Sequence, residues 1–276
     1  MKLSIQSELE LWYNKFFACE SNVQKFIAHD PVQFPRLYKK RADIEIAAFL
    51  AATIAWGRRD IIINSAKKMF SLMDNSPADY IMAGNFRNLK DKCVHRTFFE
   101  ADLKYFCIGL KHCYAKYNSL EELFLSVCGK DLTQRHRGTE DTTYHCEINQ
   151  TNTIPWGAIS LFREEMAAAN KGIYSKHIAN PDAGSACKRI NLALRWLVRE
   201  GPIDLHLWKK FPASVLHIPL DVHVARTSRS LGLLTRKSCD RKAVIEITEK
   251  LRDICPEDPV KYDYALFGMG VGARDN

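Results

Sequence analysis

The sequence predicts an all-α fold. Apolar residues recur at steps of three and four along several segments, which is the period of a helix that buries one face. Helix start signals precede several of these segments. Convincing runs of alternating apolar and polar residues, which would indicate half-buried strands, are absent. These three observations favour helices along the whole chain.

The earliest strong segment runs from Asp43 to Trp56. After Glu45 it is apolar on every side, and a helix that has no polar face belongs in the centre of a fold. Further along the chain, three apolar stripes each predict an amphipathic helix. The stripes consist of Phe99, Leu103, Phe106, Leu110, Cys113 and Tyr117; of Ile190, Ala193, Leu194 and Leu197; and of Ala243, Ile247, Leu251 and Ile254.

Local signals indicate where helices begin. Ser119-Leu120-Glu121-Glu122 is a capping box, in which the serine hydroxyl and the last carboxylate each accept a free backbone N–H. Ser76-Pro77 and Asp258-Pro259 each place a capping residue before a proline at the first helical position. We expect helices to start at these three places.

Residues 129–153 break the helical pattern. The stretch is polar, is almost free of large apolar side chains and shows no period. We interpret it as a long surface loop or insertion. It divides the chain into an N-terminal helical half, 1–128, and a C-terminal helical half, 154–276.

The composition and the missing motifs exclude several classes of protein. The mean hydropathy of −0.25 and the lack of a long apolar run exclude a transmembrane protein. The first eight residues lack the apolar core of a signal peptide, so we expect a cytoplasmic protein. The nine cysteines include no CxxC pair, so a zinc ribbon is not indicated. Phosphate-binding glycine loops and the HExxH and GxSxG motifs are also absent.

The charge balance points towards an anionic partner. The formal net charge is +8, which favours nucleic acid or anionic lipid without choosing between them. A merely soluble basic protein is the alternative.

Two segments of the C-terminal half carry candidate chemistry. Residues 180–190 are a turn signal that leads into an amphipathic helix, with Lys188 and Arg189 in its first turns. Backbone N–H groups of a helix start bind phosphate well, and those of Gly184, Ser185 and Ala186 are the candidates here. The alternative is an ordinary connection between two helices.

The second segment runs from Ile218 to Leu233. Asp221 on its own is most simply the N-cap of the helix that follows, and His223 is most simply a helix-surface or packed histidine. Arg226 and Arg229 share one helix face and could be solvated or could face phosphate.

Together the two segments resemble the helix-hairpin-helix DNA glycosylase superfamily, which includes endonuclease III and the archaeal 8-oxoguanine glycosylase. Pro181 and Gly184 stand at hairpin positions. The second segment matches the pattern P-V-D-x-H-V-x-R at Pro219, Asp221, His223, Val224 and Arg226. Within the superfamily, the stretches 55–59, 188–191 and 258–267 are similar to a bacterial family of unknown function, DUF2400.

The resemblance implies two helical subdomains with a helix-hairpin-helix, and a DNA base-excision repair glycosylase that releases a damaged base such as an oxidised purine. Asp221 would stabilise the positive charge that develops on the sugar. Lys188 would be the nucleophile of a Schiff-base lyase step. The implied partner is double-stranded DNA, bound by a monomer associated with the nucleoid. The four-cysteine motif of endonuclease III is absent, so no iron–sulfur cluster, other metal or cofactor is expected.

The same resemblance assigns further residues to DNA. The implied DNA contacts are Gly184, Ser185, Ala186, Arg189, Arg226, Arg229, Arg58 and Arg59. The flipped base would enter a pocket, for which the candidates are Trp56, Trp196, Trp208 and Phe267.

The chain also departs from the superfamily pattern. Asp182 replaces the first hairpin glycine and puts a carboxylate where a phosphate should approach. Lys188 falls two positions later than the usual lysine. These departures leave open a non-catalytic nucleic-acid-binding protein that keeps the fold, with Asp221 only as a cap. An enzyme that acts on RNA or on a free nucleoside is a third possibility.

Overall fold

Residues 4–127 and 154–272 are described by the computed structural model, and they are mostly helical. The predicted all-α class is confirmed for this part of the chain. In chain order the helices are α1 (Ile5–Phe17), α2 (Glu20–Ala28), α3 (Arg41–Thr53), α4 (Arg59–Leu72), α5 (Pro77–Ala83), α6 (Glu100–Lys116), α7 (Leu120–Leu125), α8 (Ile154–Ala169), α9 (Lys188–Val198), α10 (Val222–Ser230), α11 (Arg241–Ile254) and α12 (Asp263–Gly272).

The remaining regular structure is small. One antiparallel pair joins β1 (Cys93–His95) to β2 (Phe98–Phe99). Short 3-10 turns occur at Pro31–Gln33, Pro35–Leu37, Asn85–Asn88 and Ala213–Val215. The polar stretch 129–153 lies outside the described residues. None of the described helices is both long enough and apolar enough to cross a lipid bilayer.

Helix α3 lies in the centre of the fold, as its missing polar face predicts. Every residue from Glu45 to Thr53 is buried. Four of them are alanines, whose small side chains allow α9 to pack against α3. The apolar stripes in α6, α9 and α11 also face the core, and only their end members are partly exposed.

The two halves of the sequence pack on each other. Helices α6 and α7 contact α8, and α1 contacts α12. One hydrophobic cluster contains buried residues from both halves. The division of the chain at 129–153 therefore remains a prediction. The core around α3 contains residues from both the N-terminal and the C-terminal half.

Two of the three predicted helix starts are confirmed. Ser119 caps α7 by accepting the N–H of Glu122 at 3.1 Å. The Glu122 carboxylate accepts the N–H of Asn118 at 3.0 Å, one residue before the expected partner. Pro77 is the first residue of α5, although Ser76 makes no capping hydrogen bond.

The predicted helix start at Asp258-Pro259 is wrong. Residues 258–262 form turns, and α12 begins only at Asp263. The Asp258 carboxylate accepts a hydrogen bond from Arg199 Nε at 2.7 Å. This long-range ion pair, which a local pattern does not show, uses the carboxylate that was expected to cap the helix.

Glu45 is a fully buried carboxylate that joins several elements. Its Oε1 atom accepts hydrogen bonds from Trp208 Nε1 at 2.8 Å and Arg41 Nε at 3.2 Å. Its Oε2 atom accepts from Tyr114 Oη at 2.7 Å and from the N–H of Leu120 at 3.0 Å. Both oxygens are satisfied, as a buried carboxylate requires. Glu45 thus ties α3 to α6, to α7 and to the segment that contains Trp208.

Replacing Glu45 with alanine should lower the free energy of unfolding by about 3–5 kcal/mol, because it leaves buried donors unpaired and opens a cavity. Urea unfolding followed by circular dichroism measures this loss. The matched control is Glu249→Ala, which removes a half-exposed carboxylate and should change stability by less than about 0.5 kcal/mol. Equal losses in the two variants would contradict the role assigned to Glu45.

His217 is a buried imidazole with an unusual environment. It packs against Trp156 with ring centroids 4.7 Å apart. Neither ring nitrogen has a hydrogen-bond partner among the described residues. Burial, with further contributions from Arg252 and Arg241, lowers the pKa of His217 to about 3. In the unfolded chain the imidazole takes up a proton at about pH 6.5. Because only the unfolded chain binds this proton between that pH and 3, His217 lowers the free energy of unfolding as the pH falls through this range.

His217→Leu should make the protein less sensitive to acid. Through this one residue the wild type loses about 1.4 kcal/mol per pH unit in that range, and the variant lacks this contribution. Urea unfolding at several pH values between neutrality and mild acid measures the slope. His29→Gln, which removes an exposed imidazole, is the control. An unchanged acid slope in His217→Leu would show that the buried imidazole does not make this contribution.

Candidate active site

A cleft of about 680 Å³ opens where the turn after α3 meets the first turns of α9, α10 and α12. This volume lies within the range of small-molecule binding sites. The residues that carry its chemistry are Trp56, Lys188, Asp221, His223, Asp263 and Phe267. Four of these six, Trp56, Lys188, Asp221 and Phe267, are candidates from the sequence, and the cleft brings them together.

Asp221 has two tasks at the start of α10. Its Oδ1 atom accepts the N–H groups of His223 and Val224, each at 2.9 Å. The N-cap interpretation of Asp221 is therefore correct. The second oxygen, Oδ2, lies 3.4 Å from Lys188 Nζ. Capping thus occupies one oxygen and leaves the other to face the cleft.

Lys188 is the first residue of α9. The preceding residue, Cys187, has φ of 46°, a left-handed conformation that turns the chain from the hairpin into the helix. The Lys188 side chain is about one-third exposed, with a relative accessibility of 34%. Although 33 positions separate Lys188 from Asp221 in the sequence, the starts of two helices place them in contact.

The hairpin differs from the phosphate site that we expected. Helix α9 begins at Lys188, four residues after Gly184. The N–H of Gly184 donates to Pro181 O at 3.0 Å, and the N–H of Ser185 donates to Asn180 O at 3.2 Å. These two groups close the turn and do not point out of a helix start. Ala186 lines a neighbouring, smaller pocket that also includes Lys188.

Asp182 stands at the tip of the hairpin. Its side chain is mostly exposed, and its Oδ2 atom accepts a hydrogen bond from Ser160 Oγ at 2.9 Å. An exposed carboxylate at this place opposes the approach of a phosphate.

Two of the candidate arginines, Arg189 and Arg229, donate hydrogen bonds to backbone carbonyl groups of other segments. Arg189 donates from Nη1 to Thr53 O, at the end of α3, at 2.9 Å. Arg229 donates to the carbonyl groups of Arg236 and Lys237 at 2.9 and 2.8 Å. The guanidinium groups of both residues are used to stabilise connections.

The other three arginines are more accessible. Arg58 is exposed beside Asp60, at 2.8 Å. Arg59 places its guanidinium over the ring of Phe267, 4.9 Å from the centroid. Arg226 is exposed on α10 and hydrogen-bonds the carbonyl of Gly270.

Of the four aromatic candidates, two line the cleft and two do not. Trp56 and Phe267 belong to its wall. Trp196 and Trp208 are completely buried in the core, and their assignment to a base pocket is wrong. Trp208 donates to Glu45, and Trp196 lies on the buried side of α9. Large aromatic side chains stabilise cores and line pockets equally well, so the residue type could not separate the two cases.

Trp56 is held firmly at the rim of the cleft. The next residue, Gly57, has φ of +103°, a conformation that favours glycine. His95 Nε2 hydrogen-bonds to the Trp56 carbonyl at 2.9 Å, and the ring of His177 stacks on the indole at 5.7 Å. Burial lowers the pKa of both histidines. The two buried imidazoles thereby fix the position of Trp56.

Asp263 is a site residue that the sequence analysis missed. It is the first residue of α12, lines the cleft and is only 4% exposed. Oδ2 is paired with Arg195 Nη1, whereas Oδ1 has no hydrogen-bond partner among the described residues. Burial, with the charge of Asp221 nearby, raises the pKa of Asp263 to about 6 against the opposing effect of Arg195. The residue falls in the stretch 258–267, which carried a family resemblance and in which only Phe267 was assigned a role.

The arrangement can stabilise a cation and supply an amine. Asp221 and Asp263 provide two carboxylates, and Lys188 provides an amino group. Within residues 4–127 and 154–272, no group of three or more His, Cys, Asp or Glu side chains is placed to hold a metal ion.

Comparison with known proteins identifies a family for most of the chain. A family model described as a protein of unknown function (DUF2400) matches residues 30–272. Searches of curated proteins and of solved structures gave no match. The matched range includes every cleft residue named above. The chain belongs to the DUF2400 family.

Proposed function

We propose that this protein is a DNA glycosylase with Schiff-base lyase activity, related to the helix-hairpin-helix superfamily. One observation carries the proposal. Lys188 Nζ and Asp221 Oδ2 lie 3.4 Å apart at the starts of two helices, inside a cleft with aromatic walls. An amine beside a carboxylate is the pair of groups that this chemistry requires.

In the proposed reaction the bond between the base and C1′ of deoxyribose breaks first. Its electron pair leaves with the base, and the Asp221 carboxylate stabilises the positive charge left on the sugar. The Lys188 ammonium then gives a proton to Asp221, and the neutral amine forms a bond to C1′. The secondary ammonium formed in this way passes one proton to the departed base. As the bond from C1′ to O4′ breaks, O4′ takes the proton held by Asp221, and the nitrogen lone pair forms the C=N bond of the protonated Schiff base. Asp221 keeps its position throughout because Oδ1 remains hydrogen-bonded to the first turn of α10.

The cleft also suits an extruded base. Enzymes that act on a base in a duplex extrude it into a pocket with aromatic or apolar walls. Trp56 and Phe267 supply such walls, and the cleft is open to solvent beside the accessible Arg58 and Arg59. The net charge of +8 supports binding to a polyanion.

A non-catalytic nucleic-acid-binding protein is the second candidate. The observation that favours it is the hairpin, where Asp182 is exposed and the N–H groups of Gly184 and Ser185 close the turn. In that case the ion pair between Lys188 and Asp221 would only stabilise the meeting of α9 and α10.

Borohydride trapping tests the nucleophile. Duplexes with a single 8-oxoguanine or abasic site should give a covalent adduct with the wild type, and Lys188→Ala should give none. Lys242→Ala removes an exposed lysine of α11 and should keep the adduct. Salt-sensitive binding without any product would favour the non-catalytic candidate. Absence of duplex binding even at low salt would contradict both candidates.

Two substitutions of Asp221 separate capping from catalysis. In Asp221→Asn the amide oxygen can still cap α10, so stability should change by less than about 0.5 kcal/mol. Base release should fall by about a hundredfold or more, because the charge on the cleft side is lost. Asp221→Ala should lose the activity and, in addition, about 1 kcal/mol of stability. Thermal unfolding and single-turnover base release measure the two effects, and wild-type base release in Asp221→Asn would limit the aspartate to capping.

A further inference from the structure

A second pocket of about 470 Å³ adjoins the cleft. It shares Ala55, Trp56 and Lys188 with the cleft, and the hairpin and the first turn of α9, residues 183–190, form much of its remaining wall. The proposed reaction gives this pocket no task. A molecule that occupies the cleft and extends past Trp56 and Lys188 would enter it.

Arg189, in the wall of this pocket, is a cation that has no counter-ion among the described residues. Its side chain is partly buried. Burial lowers the pKa of Arg189, and the neighbouring Cys187 side chain opposes this effect, whereas no carboxylate of the described residues does so. The loss of water around a charged group is costly unless an opposite charge compensates for it. An anion in the pocket would supply this compensation.

One edge of the Arg189 guanidinium is accessible to such an anion. Its Nη1 atom donates to Thr53 O at 2.9 Å, and the group lies over the Trp56 ring, 5.1 Å from the centroid. These contacts fix its position. Nε and Nη2, which share one edge, make no hydrogen bond with the described residues, and neither belongs to the unpaired polar atoms that are fully buried. Solvent therefore reaches both atoms, in contrast to Nε of Arg163 and of Arg195, which are fully buried.

The other charged groups that line this pocket are already paired. Asp240 Oδ2 accepts a hydrogen bond from Arg236 Nη2 at 2.7 Å, and this contact holds the pKa of Asp240 well below its usual range. Lys188 Nζ lies 3.4 Å from Asp221 Oδ2. Each pair sums to no net charge, so the charge of Arg189 makes the potential in the pocket positive.

We propose that this pocket is a phosphate site, in which Nε and Nη2 of Arg189 bind two oxygens of one phosphate group. Arginine pairs with phosphate through two parallel hydrogen bonds, which fix both the place and the orientation of the anion. The source of the phosphate rests on the proposed function. A DNA strand whose extruded nucleotide lies in the cleft places a neighbouring phosphate beyond Lys188, in this pocket. A free phosphate compound is the other source of the same chemistry.

Replacement of single phosphates in a bound duplex tests the site. The duplex carries a tetrahydrofuran analogue of an abasic site, and each phosphate near it is replaced in turn by an uncharged methylphosphonate. At one position the replacement should weaken binding to the wild type about tenfold or more, and in Arg189→Met this penalty should disappear. Fluorescence anisotropy measures the affinities. Equal penalties in the two proteins at every position would overturn DNA as the source of the phosphate.

The salt dependence of duplex binding gives a second readout of the same contact. Arg189→Met should reduce the slope of log affinity against log salt concentration by about 0.9, the value for one phosphate contact. The matched control is Arg36→Met. Arg36 also donates Nη1 to a distant carbonyl, that of Ile203 at 2.8 Å, but lines neither the cleft nor the second pocket. Arg36→Met should keep the slope, and an equal change in both variants would contradict a specific contact at Arg189.

Inorganic phosphate tests the site without DNA. Titrations followed by ³¹P NMR at constant ionic strength should show binding to the wild type and to Arg36→Met, and binding at least about tenfold weaker to Arg189→Met. Equal affinities in the three proteins would overturn a free phosphate compound as the ligand. Should Arg189→Met fail to fold, as thermal unfolding would show, Arg189→Lys replaces it in all three experiments. Lysine keeps the charge but cannot form the two parallel hydrogen bonds, so both the methylphosphonate penalty and the phosphate affinity should still fall.

The failure of this inference can be told apart from the failure of the proposed function. Trapping of an abasic duplex through Lys188, together with methylphosphonate penalties and phosphate affinities that do not depend on Arg189, would keep the glycosylase proposal and reject the phosphate site. Binding of inorganic phosphate through Arg189 without duplex binding would keep the phosphate site and reject DNA as its source.

Discussion

Burial of Arg195 is the constraint on which the site depends. A guanidinium in the core is costly unless nearby anions and hydrogen bonds compensate for the lost water. Asp263 and Tyr264 supply this compensation from the start of α12, and Asp204 supplies it from the segment after α9. These contacts fix α12 against α9 and thereby set one wall of the cleft.

The same constraint leaves one carboxylate oxygen of Asp263, the first residue of α12, without a hydrogen-bond donor among the described residues. Arg195 engages one oxygen of Asp263, and the second oxygen is buried without a hydrogen-bond partner among the described residues. Asp221 shows a related division, with one oxygen on the backbone of α10 and the other towards Lys188. In both residues, a structural contact with one oxygen fixes the orientation of the carboxylate.

The Trp56 side of the cleft is stabilised by residues from both halves of the chain. Trp56 follows the central helix α3, and its neighbours His95, His177 and Arg189 come from three separate segments. Arg189 also hydrogen-bonds the carbonyl of Thr53 at the end of α3. Because α9 carries both Arg189 and Lys188, its packing against α3 positions the amine relative to the indole.

The sequence by itself determined the features that depend on neighbouring residues. The helical class, the buried faces of α3, α6, α9 and α11, and the caps at Ser119 and Asp221 follow from periodicity and from hydrogen bonds within one turn. Only the tertiary structure decided that Trp196 and Trp208 belong to the core, that Arg189 turns to α3 and that Asp263 lines the cleft. These outcomes depend on contacts between residues far apart in the chain, such as Arg195 with Asp263 and Trp208 with Glu45. A local pattern contains no information about such contacts, because they are fixed by which helix faces meet when the core is packed.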